Sequence, residues 1–256
     1  MSQFDIIIPA RYASSRLPGK PLRDVAGKTL LERVFDCANA TDARRVIIAT
    51  DDPHISDVAV GFGAEVVMTS ADHQSGTDRL AEVIEKLDYK DDEIILNLQG
   101  DEPLVPRQLV HQVAQGLVND PQASIVTICK DIRSQREYTD PSVVKVVINR
   151  QGYAMYFSRA PIPWAREDDG LSTRWPNRPD HVFHHIGLYA YRAGYLRRFA
   201  NQSACDLELI EKLEQLRALW NGEVIRVLKA RSLPGPGVDT LDDLENVIRI
   251  FQSKTE

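Results

Sequence analysis

"FDIIIPARYASSRLPGKP" (residues 4–21) joins an apolar, β-branched run to an abruptly polar turn. Phe4–Ile8 shows almost no polar alternation, which is how a strand reads when both of its faces are covered, as in a parallel sheet. From Pro9 to Pro21 there are three prolines, one glycine and three cations, Arg11, Arg16 and Lys20. That composition makes a turn-rich loop, and the loop leaves the strand at its carboxyl end.

The same alternation repeats outward from this stretch. Strand-like runs at Arg45–Ala49, Glu65–Met68 and Glu93–Leu98 are separated by helix-period segments at Leu30–Ala40, Ile55–Phe62 and Arg79–Leu87, and another helix follows at Gln108–Val118. Ser75 and Thr240 each precede an acid by three residues and read as helix N-caps. Between Ser124 and Tyr191 the pattern changes to strand after strand: Ser124–Cys129, Val143–Ile148, Tyr153–Phe157 and Val182–Tyr191, with a long Pro- and Trp-bearing loop over Arg159–Asp180. Helix Leu207–Trp220, strand Glu223–Lys229 and helix Leu241–Phe251 close the chain. The expectation is one α/β domain over residues 1–256, with a mostly parallel sheet core and an antiparallel, loop-bearing region inserted at about 130–190.

Composition narrows the function. The chain has 256 residues, 43% hydrophobic and 27% charged, with net charge −6. The acidic balance excludes a general nucleic-acid binder, whose affinity comes from a basic face. No apolar run approaches the roughly 20 residues of a membrane helix. Cys37, Cys129 and Cys205 are few and widely spaced, so neither a disulfide framework nor a zinc site is expected, and a reducing cytoplasm suits them.

Ligands of open α/β sheets sit at the carboxyl ends of the strands. Pro9–Lys28 carries five cations, Arg11, Arg16, Lys20, Arg23 and Lys28, against the single acid Asp24. Turn residues bring backbone close to a ligand, and Arg and Lys match phosphate oxygens. On charge and turns alone, a polyphosphate cradle and an ordinary basic loop remain equally open. Ala26-Gly27-Lys28-Thr29 mimics the end of a P-loop, but Leu22 stands where that motif needs its first Gly, so the segment reads as a helix start. No G-x-G-x-x-G follows the first strand, which removes the main support for a dinucleotide enzyme. His181, His184 and His185 lie in a strand-like context that argues against a metal cluster. Asp101, in Gln99-Gly100-Asp101-Glu102-Pro103, and Asp239, in a Pro- and Gly-rich turn, are acids suited to Mg²⁺. A Gly-Asp turn and a helix cap are their alternative readings.

With these pieces assembled, the chain resembles the 3-deoxy-manno-octulosonate cytidylyltransferases over nearly its whole length. The likeness is carried by "IPARYASSRLPGKPL" (8–22), "ATDD" (49–52), "MTSADHQSGTDRLAEV" (68–83) and "NLQGDEPL" (97–104). It continues in "YFSRAPIPW" (156–164), "HIGLYAYRAG" (185–194), "EKLEQLRALW" (211–220) and "GVDT" (237–240). The resemblance implies a glycosyltransferase-A-like nucleotidyltransferase fold and a cytoplasmic homodimer that uses Mg²⁺. It implies transfer of CMP from CTP to the anomeric hydroxyl of the acid sugar KDO, giving CMP-KDO and pyrophosphate for lipopolysaccharide. The alternatives are another keto-acid sugar (8-amino-KDO or a sialic-type acid) or a noncatalytic nucleotide-binding protein of the same fold.

Carried over residue by residue, the resemblance makes Arg11, Lys20, Asp101 and Asp239 catalytic, with Asp101 and Asp239 on the metal. It places Ala10, Arg11, Arg16, Lys20, Ser75, Gly76, Gln99, Gly100 and Asp101 around CTP. Arg79, Gln99, Arg159, His185, Tyr189, Glu214 and Gln215 would meet the sugar. Read as one continuous helix, 207–220 has an apolar stripe of Leu209, Leu213, Leu216 and Trp220. That periodicity puts Glu214 on the flank and Gln215 outside the stripe, hence both in solvent, so their assignment rests on the resemblance.

Overall fold

The computed structural model describes residues 3–13, 17–73, 75–164 and 182–253. In chain order the elements are β1 (Asp5–Ala10), a 3₁₀ turn (Lys20–Leu22), α1 (Leu30–Asn39), β2 (Val46–Thr50), α2 (Pro53–Gly61), β3 (Glu65–Met68), α3 (Gly76–Lys86), β4 (Ile94–Asn97) and α4 (Arg107–Asn119). Then follow β5 (Ile125–Lys130), α5 (Gln135–Thr139), β6 (Lys145–Ile148), β7 (Ala154–Ser158), β8 (Val182–Arg192), α6 (Ala193–Ala200), α7 (Asp206–Glu211), α8 (Gln215–Trp220), β9 (Ile225–Lys229) and α9 (Leu241–Gln252).

The sheet runs β3-β2-β1-β4-β8-β5-β9, with β6 pairing β7 and β8. The β1–β2, β2–β3, β1–β4 and β5–β9 pairs are parallel, while β8 lies antiparallel to both β4 and β5. The inserted region therefore does not stay at the sheet's margin, because its last strand enters the middle of the parallel core. β1 alternates its side chains between two apolar layers. Ile6 and Ile8 pack with Leu31, Val34, Leu109 and Val113 on one face, and Ile7 packs with Leu80, Ile84, Leu196 and Phe199 on the other. Asp5 is fully buried within this run because the Arg44 guanidinium donates to both of its carboxylate oxygens, at 2.9 and 2.8 Å.

The N-caps read from sequence are present. Ser75 Oγ accepts from Asp78 N, and Thr240 and Asp243 form a reciprocal capping box on α9. Thr29 caps α1, so the P-loop mimic is a helix start. A third apolar cluster, of Leu17, Val25, Leu30, Val238, Leu244 and Val247, docks α9 against the basic segment.

Two expectations change. The helix expected over 207–220 is two short ones, α7 and α8, broken at Lys212, which adopts left-handed φ 55° and ψ 47°. Short helices α5 and α6 appear where the sequence reads as loop or strand end. None of the helices among the described residues is long and apolar enough to cross a membrane.

Candidate active site

The strand order turns about β1, with β2 on one side and β4 on the other, so the crevice between their carboxyl ends is where an α/β sheet receives ligands. Gly100, just beyond β4, is there because a Cβ would stand 2.9 Å from the Pro9 carbonyl oxygen. A side chain at this position would push the two loops apart.

A cavity of about 330 Å³ opens at this point. Its walls include Ala10, Arg11 and Lys20 from the first loop, Ser75, Gly76 and Arg79 from the start of α3, Gln99, Gly100 and Asp101 after β4, and Glu214 and Asp239. Lys20 Nζ lies 2.6 Å from Asp101 Oδ2 and 3.3 Å from Asp239 Oδ1, and it donates to the Val238 carbonyl at 2.9 Å. The docking of α9 on Leu17 and Val25 is what carries Asp239 to the opposite side of the chain's first loop. Just beyond Asp101, the Glu102 carboxyl is pushed up to about 7, chiefly by burial and then by the charges of Asp101 and Asp239, with Lys20 opposing. Arg16 lies outside the described residues.

A second cavity, of about 400 Å³, shares Gly76, Gln99, Asp101 and Glu214 with the first. His185, Tyr189, Gln215, Thr77, Asn97, Tyr191, Tyr195 and Lys212 complete much of its wall. Tyr189, Tyr191 and Tyr195 stack in a ladder with centroids 5.7 Å apart at each step. Thr77 Oγ1 donates to Glu214 Oε2 at 2.6 Å. Burial still holds the Glu214 carboxyl above its usual range, with the Thr77 bond acting against it. The break at Lys212 turns Glu214 and Gln215 inward. Gln215 is 9% exposed, so the solvent position given by continuous helix periodicity is wrong.

His185 hydrogen-bonds Thr127 Oγ1 at 3.0 Å through Nε2 and packs edge-on against Phe157. Its neighbour His184 instead pairs with Glu137, Nδ1 to Oε1 at 2.8 Å, so the two imidazoles do not converge on one ligand. His181 lies outside the described residues. Burial, reinforced by His184, holds the His185 pKa down to about 3. Above pH 6.5 this costs nothing. As pH falls from 6.5 toward 3, the unfolded chain gains a proton that the folded one cannot, and stability is lost progressively. At about 1.4 kcal/mol per unit, the window amounts to a few kcal/mol. His185→Gln keeps a polar partner for Thr127 and does not titrate, so its acid-unfolding midpoint, followed by circular dichroism, is expected below that of the native protein. Coincident midpoints would contradict a neutral buried imidazole.

Two residues sit differently from the sugar-side expectation. Arg79 lines the first cavity rather than the second, where its guanidinium pairs with Asp51 at 2.9 Å and also meets the Thr69 hydroxyl. Arg159 lines neither cavity. Its guanidinium donates to the carbonyls of Glu211 (2.8 Å) and Pro141 (3.1 Å), and its backbone N–H donates to the Glu211 carboxylate at 2.9 Å. Arg159 therefore ties β7 to the end of α7, just before the Lys212 break. The sequence reading did not single out Thr77, Asn97, Tyr191, Tyr195 or Lys212. All of these but Tyr195 fall inside the motifs quoted for the resemblance, and that is the available signal. A larger hollow of about 1,260 Å³ runs along α4 past Arg107, His111, Gln115 and Asn119, and none of the expected residues lines it.

A family model described as cytidylyltransferase matches residues 6–225. The chain is 52% identical over 252 residues to a 3-deoxy-manno-octulosonate cytidylyltransferase of Hahella chejuensis, covering 96% of this chain and 97% of that one. It is 50% identical to the one of Pasteurella multocida, covering 98% and 100%. A solved structure of CMP:2-keto-3-deoxy-manno-octonic acid synthetase complexed with CTP superposes with TM-score 0.88 at 40% identity, covering 99% of this chain and 100% of that one. A cytidylyltransferase from Leptospira borgpetersenii, at TM-score 0.58 and 14% identity, shares the fold.

Proposed function

The chain belongs to the 3-deoxy-manno-octulosonate cytidylyltransferases, and on that premise we propose how its paired cavities transfer CMP from CTP to KDO with release of pyrophosphate. The observation that carries the reading is the shared wall. A cavity walled by Arg11, Lys20 and Arg79 together with carboxylates, and an aromatic, hydroxyl-rich one, meet at Gly76, Gln99, Asp101 and Glu214. Two substrates seated there would place the anomeric hydroxyl of the sugar against the α-phosphorus of the nucleotide. The new P–O bond forms as the bond to the β-phosphate oxygen breaks; pyrophosphate leaves with the electron pair, and the proton of the hydroxyl is released to solvent.

Arg11, Arg16 and Lys20 neutralise the triphosphate and the departing pyrophosphate, while Ala10, Ser75, Gly76, Gln99 and Gly100 receive the cytidine side. Both substrates are anions, so most of the acceleration comes from positioning and charge neutralisation. Asp101 and Asp239 fit Mg²⁺. Two hard carboxylates converge on one ammonium, and among the described residues no third His, Cys, Asp or Glu joins them in a ligand cluster. A site of that kind leaves most of the coordination shell to phosphate oxygens and water, as Mg²⁺ prefers. When bound, the ion neutralises charge on the phosphates about the reacting phosphorus. His185, Tyr189, Glu214 and Gln215 meet the sugar's hydroxyls.

The product fits lipopolysaccharide assembly in the cytoplasm. A homodimer is part of the same proposal. The test is pyrophosphate release with CTP and Mg²⁺ across KDO, 8-amino-KDO and a sialic-type acid. KDO is expected to give the highest kcat/KM. Release with another acid sugar alone would move the specificity, and no release with any of them would overturn the enzyme reading.

A further inference from the structure

The fold leaves two buried polar atoms of the second cavity without a partner. Asn97, the last residue of β4, is 2% exposed, and its Oδ1 accepts no hydrogen bond. Gln215 Nε2, across the same cavity, donates none. Buried amide groups are almost always paired, so an acceptor and a donor left open in one cavity call for an explanation. Asn97 cannot swing away to find a partner. Its backbone is locked in the sheet between Ile7 of β1 and Tyr189 of β8. Held there, its side chain forms part of the cavity wall, and its carbonyl oxygen is the atom left without a partner within the chain. The surroundings suit a polyol, because stacked tyrosines line the cavity and Lys212 is the only Lys or Arg among its described lining residues.

We propose that Asn97 Oδ1 accepts a hydrogen bond from a hydroxyl of the acid sugar and thereby selects against analogues that lack that hydroxyl. The inference rests on the function proposed above and adds a specificity residue to it. A site built to pair a substrate hydroxyl discriminates strongly, since the analogue lacking it leaves the protein's acceptor buried and unpaired.

The test uses the full chain, CTP, Mg²⁺, KDO and its monodeoxy analogues lacking O4, O5, O7 or O8, with pyrophosphate release as the readout. Asn97→Leu is expected to raise KM for KDO by roughly 10- to 100-fold while KM for CTP changes little. One analogue should be impaired by a similar factor in the native protein and impaired no further by Asn97→Leu, whereas the others show the full loss. Asn97→Asp, which keeps the acceptor, should retain the native ranking of analogues. If Asn97→Leu does not fold, Asn97→Ser, which withdraws the oxygen from reach, takes its place. A loss of equal size for every analogue, or an unchanged KM for KDO, overturns the proposal while leaving the cytidylyltransferase reading intact. If the native protein turns over a different acid sugar, that sugar and its deoxy analogues are used in the same comparison. If it turns over none, both readings fall together.

Discussion

Asp101→Asn is expected to lower pyrophosphate release at saturating CTP by about 10³-fold or more while leaving the protein folded. The substitution conserves shape and removes one negative charge from a side chain that is 32% exposed, so no buried charge is orphaned. The structural bond made by this residue is to its main chain, where the Val238 N–H donates to the Asp101 carbonyl at 2.9 Å, and the variant keeps it. Lys20 likewise retains its bond to the Val238 carbonyl. The carboxylate's remaining role is electrostatic. With Asp239 it forms the hard-oxygen pair proposed for Mg²⁺, and it stands in the wall that the two cavities share. CTP affinity, measured by titration, should weaken far less than turnover, because Arg11, Lys20 and the backbone at Gly76 and Gly100 are untouched. Asp239→Asn should resemble it, and the double variant should be little worse than either single one, as expected of groups that act as a unit. Near-native turnover in Asp101→Asn would remove the metal assignment.

Arg217→Met is expected to cost about 3–5 kcal/mol of folding stability, among the largest losses available to a single substitution in this chain. Arg217 on α8 makes two hydrogen bonds to Glu208 on α7, at 2.7 and 2.6 Å, and the two side chains are 10% and 9% exposed. The guanidinium also lies 4.1 Å from the centroid of the Phe199 ring on α6. Methionine fills part of the volume but leaves the Glu208 carboxylate buried without its counter-ion. For a chain of this size the melting temperature should fall by roughly 10 °C. Arg217→Met combined with Glu208→Leu should recover much of the loss, because the cost comes from the orphaned charge rather than from the missing pair. The same ion pair clamps α7 to α8 across Lys212, so the single variant should also raise KM for the acid sugar while sparing KM for CTP. A melting temperature within two degrees of native would show that the pair does not hold this junction.

The junction also marks the limit of what could be read in advance. The strand at Asp5–Ala10, the helices that alternate with β2, β3 and β4, and the caps at Ser75 and Thr240 follow from local rules: uninterrupted β-branched runs, a 3.6-residue period, and hydroxyl or carboxylate groups placed to meet free N–H groups. The position of the basic loop at a strand's carboxyl end follows from the same pattern. Its pairing with distant acids does not, since Asp239 meets Lys20 only because Val238, Leu244 and Val247 pack on Leu17, Val25 and Leu30. The resemblance supplied His185, Tyr189, Glu214 and Gln215, whereas the structure alone shows how the last two reach a cavity that helix periodicity denies them. Arg159 is an arginine that any sequence reading offers to a carboxylate, yet its Nε and one terminal nitrogen donate to the Glu211 and Pro141 carbonyls, and it lines neither cavity.

By itself, then, the sequence determined the α/β order, the carboxyl-end location of the site and the residue types gathered there, because each depends on neighbours within a few residues. Tertiary structure decided the insertion of β8 between β4 and β5, the left-handed break at Lys212 and the convergence of Asp101 with Asp239. Each of these depends on burying surfaces and charges that lie far apart along the chain, and no local period records which of them will meet.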